Sequence, residues 1–170
     1  MTSWQNSFIT CVGGLGGSSG PTFVLDVQGG SSQSGAAIII NTASSGNSQL
    51  WNSDQFPAPH YKGAYTIYNL AGSSAFGFLN VPDLPTGQGQ GAQLFQAGLE
   101  STSDGYVKER FLWDVVSAGS DSHGTHYKIR NRHSGLLLTR QGKSFHNGEH
   151  VIQDADHNGV NQLWYMGLVH

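Results

Sequence analysis

Hydrophobic positions along the chain fall in short runs of four to seven residues, separated by stretches rich in Gly, Ser, Asn and Pro. Runs of that length, bounded by turn residues, predict β-strands. No segment keeps a helical period long enough to predict an amphipathic helix. The runs are SFITCV (7–12), FVLDV (23–27), AIII (37–40), AYTIYNL (64–70), FGFLNV (76–81), AQLF (92–95), HYKIRN (126–131), GLLLT (135–139) and HVIQ (150–153). A further strand is expected after each of three tryptophans, Trp51, Trp113 and Trp164.

The tryptophans carry a recurring motif. Gln49-Leu50-Trp51 and Gln162-Leu163-Trp164 share one pattern, and Phe111-Leu112-Trp113 departs from it only at the first position. They lie 62 and 51 residues apart. Aligning the upstream runs on Asp26, Asn80 and Thr139 puts the ends of the middle strands at Asn41, Phe95 and Asp154, 15 residues on in every copy. From there to the tryptophan the distances are 10, 18 and 10, so the second copy carries eight extra residues, assigned to GLESTSDGYVKER (98–110). Such self-similarity predicts a repeat architecture of three units, about 1–55, 56–118 and 119–170, within a single domain. Four strands per unit make twelve. The pattern looks like a β-trefoil with pseudo-threefold symmetry, six strands closing a barrel and six capping one end, which removes exposed sheet edges.

Composition narrows the class. Charged residues are only 11% and Gly numbers 24, which favours a loop-rich all-β chain. Net charge is −3, so no basic face is expected for a phosphate backbone and nucleic acid is not an expected partner. Cys11 is the one cysteine, so no intramolecular disulfide can form, and in its strand it is expected to behave as a buried hydrophobe. No apolar run approaches membrane-spanning length, and MTSWQNSFITCVGG lacks the basic and apolar regions of a signal peptide. No Asn-x-Ser/Thr acceptor occurs. These features predict a cytoplasmic or leaderless protein without membrane insertion.

The residues LDVQGG with SGAAIII and NSQLW, and SGLLLTRQG with NGEHVIQ and NQLW, resemble the ricin-B-type lectin family over nearly the whole chain. They are nearer to its disulfide-free mushroom members than to the plant toxin chains. The Gln-x-Trp motif itself reads as architecture: Trp51, Trp113 and Trp164 bury large rings, while Gln49 and Gln162 satisfy nearby loop backbone. Phe111 in the second copy fits that view, with packing in place of a hydrogen-bonded turn.

The resemblance implies a shallow sugar pocket in each repeat. An acid ending the second strand accepts sugar hydroxyls, an aromatic residue 15 positions later stacks on the ring, and an Asn before the Gln adds hydrogen bonds. No copy holds the whole set. Repeat one has Asp26 as the acid, with Asn41 in the aromatic position and Asn47 near the Asn position. Repeat two has Asn80 for the acid, Phe95 as the aromatic with Gln93 beside it, and Arg110 for the Asn. Repeat three has Thr139 for the acid, Asp154 in the aromatic position, and Asn161 with Gln162 in place. Asp26 ranks repeat one first, repeat two follows, and in repeat three Asp154 supplies a carboxylate from the opposite wall.

The expected function is therefore a non-enzymatic lectin for galactose, N-acetylgalactosamine or related glycans, acting through weak sites joined by avidity. Haemagglutination and a defensive role are extensions the family suggests. Partners would be glycoproteins or glycolipids; monomer and homodimer both remain open. A β-trefoil protease inhibitor presenting 98–110, or an interaction module with decayed sugar sites, are the competing readings. No catalytic or cofactor motif is present, and no cofactor is expected. Seven of the eight histidines follow position 120, His123, His126, His133, His146, His150, His157 and His170, but with no helix to align them they predict no metal site.

Overall fold

The computed structural model describes residues 3–16, 20–44, 46–56, 60–72, 76–86 and 88–168. His170 lies outside them. Within them run β1 (Phe8–Cys11), β2 (Phe23–Val27), β3 (Ile38–Thr42), β4 (Trp51–Gln55), β5 (Tyr65–Asn69), β6 (Phe78–Asn80), β7 (Phe95–Ala97), β8 (Trp113–Asp121), β9 (Gly124–Asn131), β10 (Leu137–Arg140), β11 (Glu149–Asp154) and β12 (Trp164–Leu168). Each repeat contributes four. Among the described residues the helical content is four single turns, three of them immediately before the motif tryptophans, at Asn47–Gln49, Glu109–Phe111 and Val160–Gln162.

Six strands form a closed ring. β1 pairs with β12, β12 with β9, β9 with β8, β8 with β5 and β5 with β4. A bridge between Ser7 and Trp51 joins β4 back to β1, with both backbone bonds made, at 3.0 and 2.9 Å. Closure leaves no continuous free edge, so neutral strands are protected from pairing with other chains. The other six strands are three hairpins, β2–β3, β6–β7 and β10–β11. They lock to one another through three bridges, Ala37 to Phe95, Gln93 to Ile152 and His150 to Ile39. Barrel plus cap is a β-trefoil.

The tryptophans seal the barrel. Trp51, Trp113 and Trp164 are at most 1% exposed, and each indole N–H donates to the carbonyl of the matching leucine, Leu25, Leu79 or Leu138, at 3.0, 3.2 and 3.0 Å. Apolar area buried this way drives the fold, and the indole bond removes the cost of a buried donor. The glutamines work as the sequence suggests. Gln49 Nε2 donates to Thr42 O and its Oε1 accepts from Ser44 N; Gln162 Nε2 donates to Ala155 O and its Oε1 accepts from His157 N. Phe111 fills the equivalent place in repeat two and is fully buried.

The three cap bridges correct the alignment of repeat two. They relate Ala37, Gln93 and His150 to one another, and Ile39, Phe95 and Ile152 likewise. Across the hairpins, Asp26 faces Ile39, Asn80 faces Phe95 and Thr139 faces Ile152. The residue equivalent to Asn41 and Asp154 is therefore Ala97, 17 residues after Asn80, and not Phe95. Two of the eight extra residues lie in the β6–β7 hairpin and six follow it. A shift of two keeps every side chain on its own face of a strand, so the apolar pattern reads the same in both registers.

Gln93 consequently sits at the meeting point of the three repeats. Its Nε2 lies 2.6, 2.9 and 2.9 Å from the carbonyls of Ile38, Leu94 and Val151, one from each repeat. Gln93→Leu, which keeps the bulk and removes the donor, is expected to cost about 1 kcal/mol for the lost amide bonds, since Leu94 O and Val151 O keep their backbone donors, Ile38 N and Leu94 N. Urea denaturation measures this; an unchanged midpoint would show that the amide is not a structural pin.

Candidate functional site

In repeat one two of the three sequence-predicted groups, Asp26 and Asn41, meet, and Gln49 of the motif joins them. Asp26 Oδ2 accepts from Asn41 Nδ2 at 2.8 Å and from Gln49 Nε2 at 3.1 Å. Asn41 Oδ1 accepts from the backbone of Gly148, so this contact also ties repeat one to repeat three. Asp26 is only 5% exposed. It is turned toward its own hairpin, and the strand-ending acid here braces the loop. Asn47 stands exposed on the adjoining turn. Gly29 and Gly30 follow with φ of 67° and 62°, a left-handed pair that lets the chain fold back beside Ser48.

Repeat two does not assemble its predicted set. Asn80 is fully buried, and neither of its amide atoms has a protein partner, because the neighbouring positions hold Phe111 and Ala97 in place of Gln and Asn. Phe95 lies two residues from the stacking position, and Gln93 is engaged in the cap. A cleft of about 250 Å³ nevertheless opens beside this repeat, lined by Asp83, Thr102, Lys108, Glu109, Arg110 and His133. Lys108 pairs with Glu100 at 2.6 Å and Arg110 pairs with its other oxygen. The Lys108 hydrogen bond, ahead of Arg110, holds the Glu100 carboxyl below its usual range.

Repeat three holds the roomiest version, a cleft of about 480 Å³ between the end of β10, the end of β11 and the turn Val160–Gln162. Asp154, His157 and Asn161 line it with Arg140 and Lys143. His157 links the other two: its Nδ1 is 3.8 Å from Asp154 Oδ2 and its Nε2 is 3.2 Å from Asn161 Oδ1. Asp154 Oδ1 accepts from Ala155 N at 2.8 Å, and Asn161 Nδ2 donates to Arg140 O at 3.0 Å. These anchors fix both side chains while Asp154 Oδ2 keeps capacity to accept. Thr139, at the acid position, is buried, donates to Leu137 O and accepts from Gln162.

The clefts of repeats two and three are threefold counterparts, since Lys108–Arg110 matches 159–161 and Asp83 matches Gly142 in the register set by the cap. His157 was not picked out by sequence as a site residue; its signal was its place three residues after Asp154, where Ser44 stands in repeat one. Another cleft, of about 450 Å³, lies against β8 and β9, but its Lys128 is already bonded to Asp156 and Asn158. Among the described residues no three His, Cys, Asp or Glu side chains group around a metal position.

Residues 110–169 match the family model described as ricin-type beta-trefoil lectin domain-like. No curated protein sequence matches the chain. Among solved structures, the designed threefold-symmetric protein ThreeFoil is similar at a TM-score of 0.72 and 24% identity, over 96% of this chain and 99% of that one. An exo-β-1,3-galactanase from Clostridium thermocellum is similar at 0.70 and 25% identity, over 96% of this chain but only 30% of the galactanase. The Rhizoctonia solani agglutinin is similar at 0.66 and 17% identity, over 98% of this chain and 97% of that one. The protein thus carries a ricin-type β-trefoil lectin-like sequence at residues 110–169, set in a chain that has the β-trefoil fold throughout its described residues.

Proposed function

We propose that the protein is a non-enzymatic carbohydrate-binding protein whose principal site is the repeat-three cleft. The observation that carries this reading is the convergence of Asp154, His157 and Asn161 on one open, anchored cleft. A pyranose presents vicinal hydroxyls, which a fixed carboxylate accepts in charge-assisted bonds worth roughly 1.5–3 kcal/mol each. Asp154 Oδ2 supplies that acceptor and Asn161 Oδ1 a second, while the His157 ring, with its nitrogens 3.1 Å from Ala155 O and 3.2 Å from Asn161 Oδ1, holds Asn161 in place. The lectin-like match over 110–169 supports this reading because it covers the turn and the motif that shape the cleft.

The ranking drawn from sequence changes accordingly. Asp26 serves its own loop, while Asp154 faces the cleft. Galactose and N-acetylgalactosamine are the sugars we expect first, and the weaker repeat-two cleft adds avidity on a dense glycan surface. A defensive role follows if such surfaces belong to grazers or parasites.

A glycan array with wild type, Asp154→Asn, Asn161→Ala and Asp26→Ala tests this. Both repeat-three variants are expected to lose about tenfold or more in affinity, by the loss of one charge-assisted bond. A wild-type chain that is folded yet blank on the array, or full binding in both variants, would sink the proposal and turn the search to proteases.

A further inference from the structure

Each sugar ring also has a C–H face, and the repeat clefts leave that face bare. The threefold-related positions that flank them are Asn41, Ala97 and Asp154, none of them aromatic. Aromatic rings do gather elsewhere on the surface. His60 and Tyr106 touch with centroids 3.9 Å apart and planes tilted by 57°, Tyr61 lies 6.0 and 6.2 Å from them, and Phe56 lies 4.9 Å from Tyr61. Tyr106 is 43% exposed and His60 is exposed. The rings come from two segments that stand outside the repeated strands: the connection from repeat one to repeat two, and the insertion in repeat two.

The insertion connects this group to the repeat-two cleft. It folds back as a small hairpin with a bridge between Ser101 and Val107. Thr102 N donates to Tyr106 O at 2.6 Å, and Tyr106 N donates to Thr102 Oγ1 at 3.2 Å. Thr102 and Tyr106 are therefore opposite one another, and opposed residues of a hairpin leave on the same face. Thr102 lines the cleft. The hairpin thus sets the exposed Tyr106 opposite a residue of the cleft wall.

We infer that Tyr106 and His60 form an aromatic platform that continues the repeat-two cleft and takes the second or third sugar of an oligosaccharide. The inference rests on the carbohydrate reading above and names the class it favours, oligosaccharides over single sugars. The ring faces carry negative charge density, which attracts the polarised C–H groups of a pyranose, and stacking also removes apolar area from water. Exposed aromatic patches mark binding surfaces.

One array carrying mono- to tetrasaccharides of the common hexoses and hexosamines tests it, probed with wild type, Tyr106→Ala, Tyr106→Phe, His60→Ala and Asp154→Asn. Tyr106→Ala is expected to lose about tenfold on tri- and tetrasaccharides, the equivalent of about 1.4 kcal/mol, with no loss on single sugars. Tyr106→Phe should bind as wild type, and His60→Ala should repeat the loss without touching the insertion. Unchanged binding of long glycans by Tyr106→Ala and His60→Ala overturns the platform. If Asp154→Asn alone weakens binding, the carbohydrate reading stands and the platform falls. A blank wild-type array removes the carbohydrate reading itself.

Discussion

Trp164→Ala is expected to lower the free energy of unfolding by about 3–5 kcal/mol, the cost of emptying an aromatic site in a packed core. The side chain is 1% exposed, and its indole N–H holds Leu138 O at 3.0 Å. Total stability of a domain this size is of order 5–15 kcal/mol, so the variant retains little of it. Trp164→Phe separates the two contributions. It keeps most of the ring and strands the Leu138 carbonyl, which costs about 1–3 kcal/mol. Trp4→Ala is the control: that ring is only partly buried, packs 5.2 Å from Tyr65 and stands outside the recurring motif. Urea midpoints followed by circular dichroism measure all three. If Trp164→Ala and Trp4→Ala had equal midpoints, the motif would not be what seals the barrel.

The architecture was legible in the chain because two signals agreed. Short apolar runs between turn residues specify strands, and the three tryptophans specify how often the set recurs. The glutamine role was legible too, since a buried amide beside a tight turn must find backbone partners. What failed was register within repeat two. AQLFQA alternates in either alignment, and an offset of two leaves the alternation intact. Only the cap bridges, which join residues from different repeats, distinguish them. That one offset removed Phe95 from the stacking position and placed Gln93 on the threefold centre.

The candidate site was legible in part for a different reason. Sequence ranks an acid by its presence, whereas function depends on which way it faces. Asp26 has the expected position, but Asn41 and Gln49 supply donors from inside the fold and draw the carboxylate inward. Asp154 departs from the pattern and faces the open cleft, because Thr139 needs no such donors and Gln162 bonds it directly. The equivalent positions thus differ in setting: Asp26 braces its own loop, while Asp154 faces an open cleft. Asn80 shows the intermediate condition, a polar residue kept in a pocket whose partners have become Phe111 and Ala97.

Glu149→Ala is expected to destabilise the chain by about 3–5 kcal/mol, because it strands a buried cation. Arg140 and Glu149 are 2% and 4% exposed. Arg140 NH1 lies 3.2 and 3.3 Å from the two carboxylate oxygens and 3.2 Å from Ser144 O, and its guanidinium covers the Phe145 ring at 4.1 Å. Glu149 also accepts from the backbone of Gly142, so its loss frees a loop donor beside the repeat-three cleft. The double variant Arg140→Met with Glu149→Leu should recover most of the loss, since apolar replacement of a buried pair is often neutral or better. Cys11 gives an independent reading. Burial pushes its thiol from 9.0 up to about 12; Arg140 pulls it down and Glu149 pushes it up. A thiol raised in the folded state favours folding fully below pH 9 and loses that contribution as pH climbs toward 12. Wild-type stability should therefore decline across that alkaline window. In Glu149→Ala the unopposed Arg140 should lower the thiol and quicken its labelling at pH 8 by a thiol reagent, in the folded protein. Labelling no faster than wild type, with an unchanged urea midpoint, would mean that the pair does not act on the core it is buried in.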